Sequence, residues 1–154
     1  MSLSLLLLCL LSGPALAVNA DVNGRTDAPQ TLADTVSALG SGKASERRFA
    51  SRALRRQVKV ALKQAARGGG RSLWSADALL FLEDADRILA PRCVAALRYA
   101  DVRVACAQII AGLEYHAGRG ALAQAIAQED HPGRARRMNR ALKQLDATAP
   151  GATP

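Results

Sequence analysis

From Ala44 to Arg67 the chain runs without a glycine or proline, and Gly68-Gly69-Gly70 stops it. On a helical projection Arg48, Arg52, Arg55, Arg56, Lys59, Lys63 and Arg67 fall within roughly 120° of arc, while Ala50, Leu54, Val58, Ala61 and Ala65 lie opposite. Only a long helix reconciles that pattern, and its small apolar face needs other helices to cover it. Between Lys43 and Arg71 Glu46 is the single acid, so the polar face is almost purely cationic.

The rest of the chain has the same character. Aromatic residues make up 3% of it against 49% hydrophobic residues in all, so the apolar content is mostly alanine and aliphatic. Strands would call for Val, Ile, Thr, Tyr and Phe, whereas alanine-rich stripes suit helices packed closely through small side chains. Further helices are expected over 31–39, closed by Gly40; over 75–90; over 91–99, with Pro91 at a first helical position; over 101–116, ending at Gly118; over 121–128; and over 132–146. The expected fold is all-α and a single domain, residues 31–147. It is preceded by a polar, turn-rich lead-in at 18–30 and followed by a tail at 148–154.

Residues 1–17 stand apart from this domain. An apolar run from Leu5 to Leu11 is too short for a bilayer, which takes about 20 residues. It breaks at Gly13-Pro14 and reaches Ala15-Leu16-Ala17, a small-x-small cleavage pattern. This reads as a signal peptide cut after Ala17, or after Ala20, although no Lys or Arg precedes the apolar run. The expected location is therefore exported, periplasmic or secreted, with no transmembrane segment after processing. No charged residue is lost with the leader, so the formal net charge of +8 belongs to the remainder.

An arginine followed six residues later by a large aliphatic recurs at Arg48 and Leu54, Arg103 and Ile109, and Arg136 and Leu142. The last two arginines have the spacing of a helical repeat. Asp101-Val102-Arg103 opens one such helix, and Asp130, Pro132 and Arg136 mark the next. Asp101 is placed to accept from first-turn amides, and Arg103 to tie one unit to its neighbour. These residues, best matched between Leu89 and Leu145, resemble the HEAT-repeat family. The resemblance implies a short stack of antiparallel helical hairpins, an α-solenoid, that binds another macromolecule across its surface. The alternative is a non-repeat helical bundle.

Cys93 and Cys106 lie on the apolar stripes of consecutive helices, about equally far from the turn between them. They can be bridged as a disulfide, or serve as two small core residues. The basic stripe, with Arg52, Arg55, Arg56, Lys59 and Lys63 foremost, can meet an acidic protein face or an anionic envelope surface of lipid or polysaccharide. Asp77, Glu83, Asp84 and Asp86 could also neutralise part of it from within. Arg137 and Arg140 form a second basic patch, and Trp74 is a candidate anchor. Phe49 is the single aromatic among the basic residues of the long helix, too few to stack on successive bases, which argues against nucleic acid.

Gly40-Ser41-Gly42-Lys43 lacks the spacing and the hydroxyl of a nucleotide loop. Neither His116 nor His131 has a partner at ligand spacing, and no serine stands in a nucleophile context. The expectation is a non-catalytic interaction or scaffold module without cofactor or metal. Its partner would be a protein, self-association being open to a stack this short. The rival readings are a charge-driven binder of an anionic surface, and a small envelope enzyme or enzyme inhibitor whose site arises only on folding.

Overall fold

The computed structural model describes residues 31–67 and 73–149. The expected leader, the lead-in and residues 150–154 of the tail lie outside the described residues. Within them the chain is all-helical. Helix α1 is Leu32–Ser37, opened by a Thr31 capping box with Asp34 and closed by a 3-10 turn, Ala38–Gly40. The long amphipathic run forms α2, Ala44–Arg67. Then come α3 (Leu73–Asp84), α4 (Ala90–Ala96), α5 (Arg103–Gly112), α6 (Arg119–Ala127) and α7 (Pro132–Ala147).

Two helix boundaries differ from expectation. Proline at 91 does not start a separate helix. The chain passes from α3 to α4 through a widened π turn, Ala85–Leu89, in which the Ala90 N–H donates to the Ala85 carbonyl. Proline has no N–H to give and its ring clashes with the carbonyl four residues back, so a wider turn is the way to continue through it. Helix α5 ends at Gly112, short of His116, because Glu114 takes a left-handed φ of 54°. Gly118 belongs to a separate 3-10 turn, His116–Gly118, that leads into α6. A methyl group at Gly118 would sit 2.9 Å from a Val94 methyl, so glycine lets this turn lie directly on α4.

Helices α2, α5 and α7 lie side by side. Helix α1 and its 3-10 turn back α2, α4 backs α5, and α6 backs α7, while α3 returns along α2. The core fills the space between these layers: Leu39, Leu54, Leu89, Ile109, Ile110, Leu122, Met138 and Leu145 are all buried. The α2, α5 and α7 helices run the same way. At one end Arg47 of α2 reaches Asp101, just ahead of α5, and Arg103 at the head of α5 reaches Glu129, just ahead of α7. At the other end Gly112 of α5 lies against Leu62 and Val58 of α2.

These polar links hold the row together, and they correct the expected signature. Arg47, 9% exposed, makes the link, and not Arg48. Its Nε and Nη2 donate to the two oxygens of Asp101 at 3.3 and 3.1 Å, and its Nη1 donates to the Ser41 carbonyl at 2.7 Å. The ring of Tyr99 stacks on the same guanidinium, 4.3 Å away. Arg48 is exposed and bonds only back to the Ala44 carbonyl of its own helix. Asp101 does not cap α5, whose N-cap is Val102 with no side-chain bond; its carboxylate is turned to Arg47.

Glu129, in place of Asp130, is the buried acid before α7, and Arg134, in place of Arg136, is its partner. The Glu129 side chain is 1% exposed and takes bonds from Arg103 Nη1 (3.3 Å), Arg134 Nε (2.8 Å) and the His131 N–H (3.1 Å). Asp130 and Arg136 face solvent. Arg103 also holds the Leu97 and Gln128 carbonyls, which makes it the link between successive hairpins. Counting from Arg47, Arg103 and Arg134, the residues four and seven further on are all buried: Ser51 and Leu54, Ala107 and Ile110, Met138 and Ala141.

Burial works against the charge on Glu129. The His131 amide, Arg103 and Arg134 outweigh it and hold the carboxyl below its ordinary range. A depressed folded value makes the contribution fully present above the unfolded glutamate value of about 4.3, and it is lost as pH falls through the folded value. Glu129→Ala should destabilise the chain by about 3 kcal/mol at neutral pH and flatten the acid limb of its stability profile, as read by urea denaturation. By the same measurement Arg47→Ala should cost about 2 kcal/mol and Arg48→Ala less than about 0.5 kcal/mol.

Candidate binding face

The side of the row away from α1, α4 and α6 is cationic. Arg52, Arg55, Arg56, Lys59 and Lys63 stand exposed along α2, and Arg136, Arg137, Arg140 and Lys143 along α7. Between these ridges the outer face of α5 is low, with half-buried Ala105 and Gly112 and one exposed polar side chain, Gln108. Gln108 joins the two ridges. Its Oε1 accepts from Arg55 Nη1 at 2.8 Å, and it lines an open depression of about 290 Å³ with Arg137, Arg140, Ala141 and Gln144. A second depression, about 440 Å³, lies among Arg136, Asn139, Arg140 and Lys143. The structure thus brings the two expected basic patches onto one face. Gln108 is the residue that sequence reasoning passed over.

No acid neutralises this face among the described residues. The ion pairs found there are Lys43–Glu46, Arg47–Asp101, Arg87–Asp84, Arg103–Glu129, Arg119–Asp146 and Arg134–Glu129, and none takes in a base of either ridge. Asp84 is held by Arg87 on its own helical segment, and Asp77, Glu83 and Asp86 are exposed without a partner on α2 among the described residues. Like charges one turn apart on a helix repel by a few tenths of a kcal/mol per pair. The face therefore lowers the stability of the isolated chain and favours whatever anion covers it.

The other candidates fall elsewhere. Trp74 belongs to α3, and its side chain lies outside the described residues. His131 caps α7, its Nδ1 accepting from the Gly133 N–H at 3.1 Å. Among the described residues no group of three His, Cys, Asp or Glu side chains could hold a metal ion, and no helix is long and apolar enough to cross a membrane. No family model, curated protein or solved structure matches the chain.

Cys93 and Cys106 meet in the core between α4 and α5 as free, fully buried thiols. The neighbouring Cys106 thiol and burial together raise the Cys93 thiol well above its ordinary value. Both thiols should resist iodoacetamide in the folded, reduced chain at neutral pH, because both are shut in the core away from the reagent. Peptide mapping after denaturation without prior reduction should find both alkylated if they stay free, and neither if they have been bridged.

Proposed function

We propose that the chain is a non-catalytic interaction module of the HEAT-like kind, exported from the cell, which binds an acidic protein through the face formed by α2, α5 and α7. The observation that carries this reading is the unneutralised basic surface continuous through Gln108. Parallel neighbouring helices, short connections and the shared buried register behind Arg47, Arg103 and Arg134 support the stacked-hairpin part of it. Arginine dominates both ridges, and its planar fork pairs with carboxylates in two-point fashion, where lysine acts as a point charge. Export rests on the leader pattern at residues 1–17.

A protein partner is favoured over a lipid surface by what this face lacks. The large apolar side chains that stand exposed among the described residues are Phe49, Val60, Leu79, Leu80 and Ile88, none on α5 or α7. A bilayer-binding helix sets such side chains into the lipid beside its basic residues. Here Phe49 and Val60 lie at the margin of the α2 stripe, while the α5 floor and the α7 ridge offer only polar, directional contacts, suited to discrete anionic side chains.

The test is capture from the source cell's envelope proteins at low salt and again at roughly 0.5 M, where the Debye length falls to about 4 Å. One polypeptide retained by the full chain at high salt, and lost by the Arg55→Glu, Arg137→Glu, Arg140→Glu triple variant, is the expected result. If everything bound washes off together, the face is an electrostatic adhesive for anionic surfaces and the specific-partner reading falls.

A further inference from the structure

Helix α3, LWSADALLFLED, carries apolar residues on every side, the pattern of a helix with no face for water. Yet of its residues from 76 onward only Ala78 is buried; Phe81 and Leu82 are half-covered, and Leu79 and Leu80 are 58% and 62% exposed. Its partner in the hairpin, the outer half of α2, exposes Val60 to 53%. Ala61 and Ala78, the buried residues of this outer hairpin, stand apart from the main core cluster. The hairpin has a contact of its own and an apolar surface left over.

The charges around that surface are arranged in two complementary ways. Leu80 is ringed on α3 by Asp77, Glu83 and Asp84, at minus three, plus three and plus four; Val60 is ringed on α2 by Arg56 and Lys63, at minus four and plus three. Asp84 is taken by Arg87, which leaves Asp77 and Glu83 as acids without an ion pair among the described residues. An apolar residue in an acidic ring and another in a basic ring, on one hairpin, are what a two-fold interface needs, since each ring then meets its opposite twice.

We propose that two copies of this chain pair through their α2–α3 hairpins, Leu80 of each copy against Val60 of the other. The four helices close a bundle, a common way for helical hairpins to cover their open faces. Asp77 and Glu83 oppose Arg56 and Lys63 across the interface. The pairing draws on the outer half of α2 and on α3; it takes Arg56 and Lys63 from the α2 ridge and leaves Gln108, Arg55 and the α7 ridge open. It does not depend on the acidic-partner reading, and mass and capture separate the two.

Sedimentation equilibrium of the full chain from about 5 to about 200 µM would show the mass doubling, with dissociation in the micromolar range. Leu80→Glu, at an exposed site, should raise the dissociation constant at least roughly tenfold without changing the helical circular dichroism. Asp77→Lys with Glu83→Lys should weaken pairing, and adding Arg56→Glu with Lys63→Glu should restore it. A chain that stays single at the highest concentration overturns the proposal, whether or not the hairpin captures some other protein. So does a Leu80→Glu chain that pairs as well as the original, or a charge exchange that restores nothing.

Discussion

Three parallel helices side by side put three positive dipole ends together, a repulsive arrangement unless negative charge sits among them. Asp101 and Glu129 supply it, lodged where α5 and α7 begin. Each is clamped by an arginine from the preceding helix of the row, Arg47 in one case and Arg103 in the other. The acids are held by more than one donor apiece, which is the condition under which a buried charge is tolerable at all. Chain connectivity alone would leave successive hairpins free to slide. These pairs fix how far each is shifted along its neighbour, and thereby set Gln108 opposite Arg55.

The molecule sorts its arginines into two populations. Arg47, Arg103 and Arg134 are consumed by the fold, with guanidinium groups committed to carboxylates or carbonyls. Those on the opposite side of the row have no carboxylate partner among the described residues: Arg55 donates to Gln108, and Arg136 and Arg137 to carbonyls of their own helix. A scarcity of acids enforces this division: the well-buried carboxylate is spent between hairpins, and four of the remaining acids are gathered on or just after α3, away from the cationic face. The two surfaces are thus electrically separated along a single long helix, basic on one flank of α2 and next to acids on the other.

Helix content, the extent of α2 and the division of α2 into a cationic and an alanine-rich face were legible in the sequence, because each follows from local periodicity and from glycine and proline punctuation. The meeting of the two basic patches was not, since it depends on α5 presenting Gln108 between Arg55 and Arg140. Arg48, Asp130 and Arg136, expected to mark a repeat, do not make the links between helices; Arg47, Glu129 and Arg134, one or two positions away, do. Adjacent arginines and adjacent acids look alike in a sequence, and only a long-range partner decides which of Arg47 and Arg48, or of Glu129 and Asp130, turns inward. The end of α5 was missed for a related reason: nothing in Glu114 advertises a left-handed backbone, a conformation that glycine or asparagine would have announced.

The widened turn before Pro91 holds one residue more than an α-helical turn would, and each residue of a helix subtends about 100°. Everything ahead of that turn is therefore rotated by about that angle relative to a straight continuation of α4. Shortening the chain by one residue inside Ala85–Leu89 would carry the exposed leucines of α3 round to a different side of the molecule. The direction in which the apolar edge looks is thus written in a single surplus residue, and lineages of this chain could re-aim that edge by deletion without touching a residue that forms it.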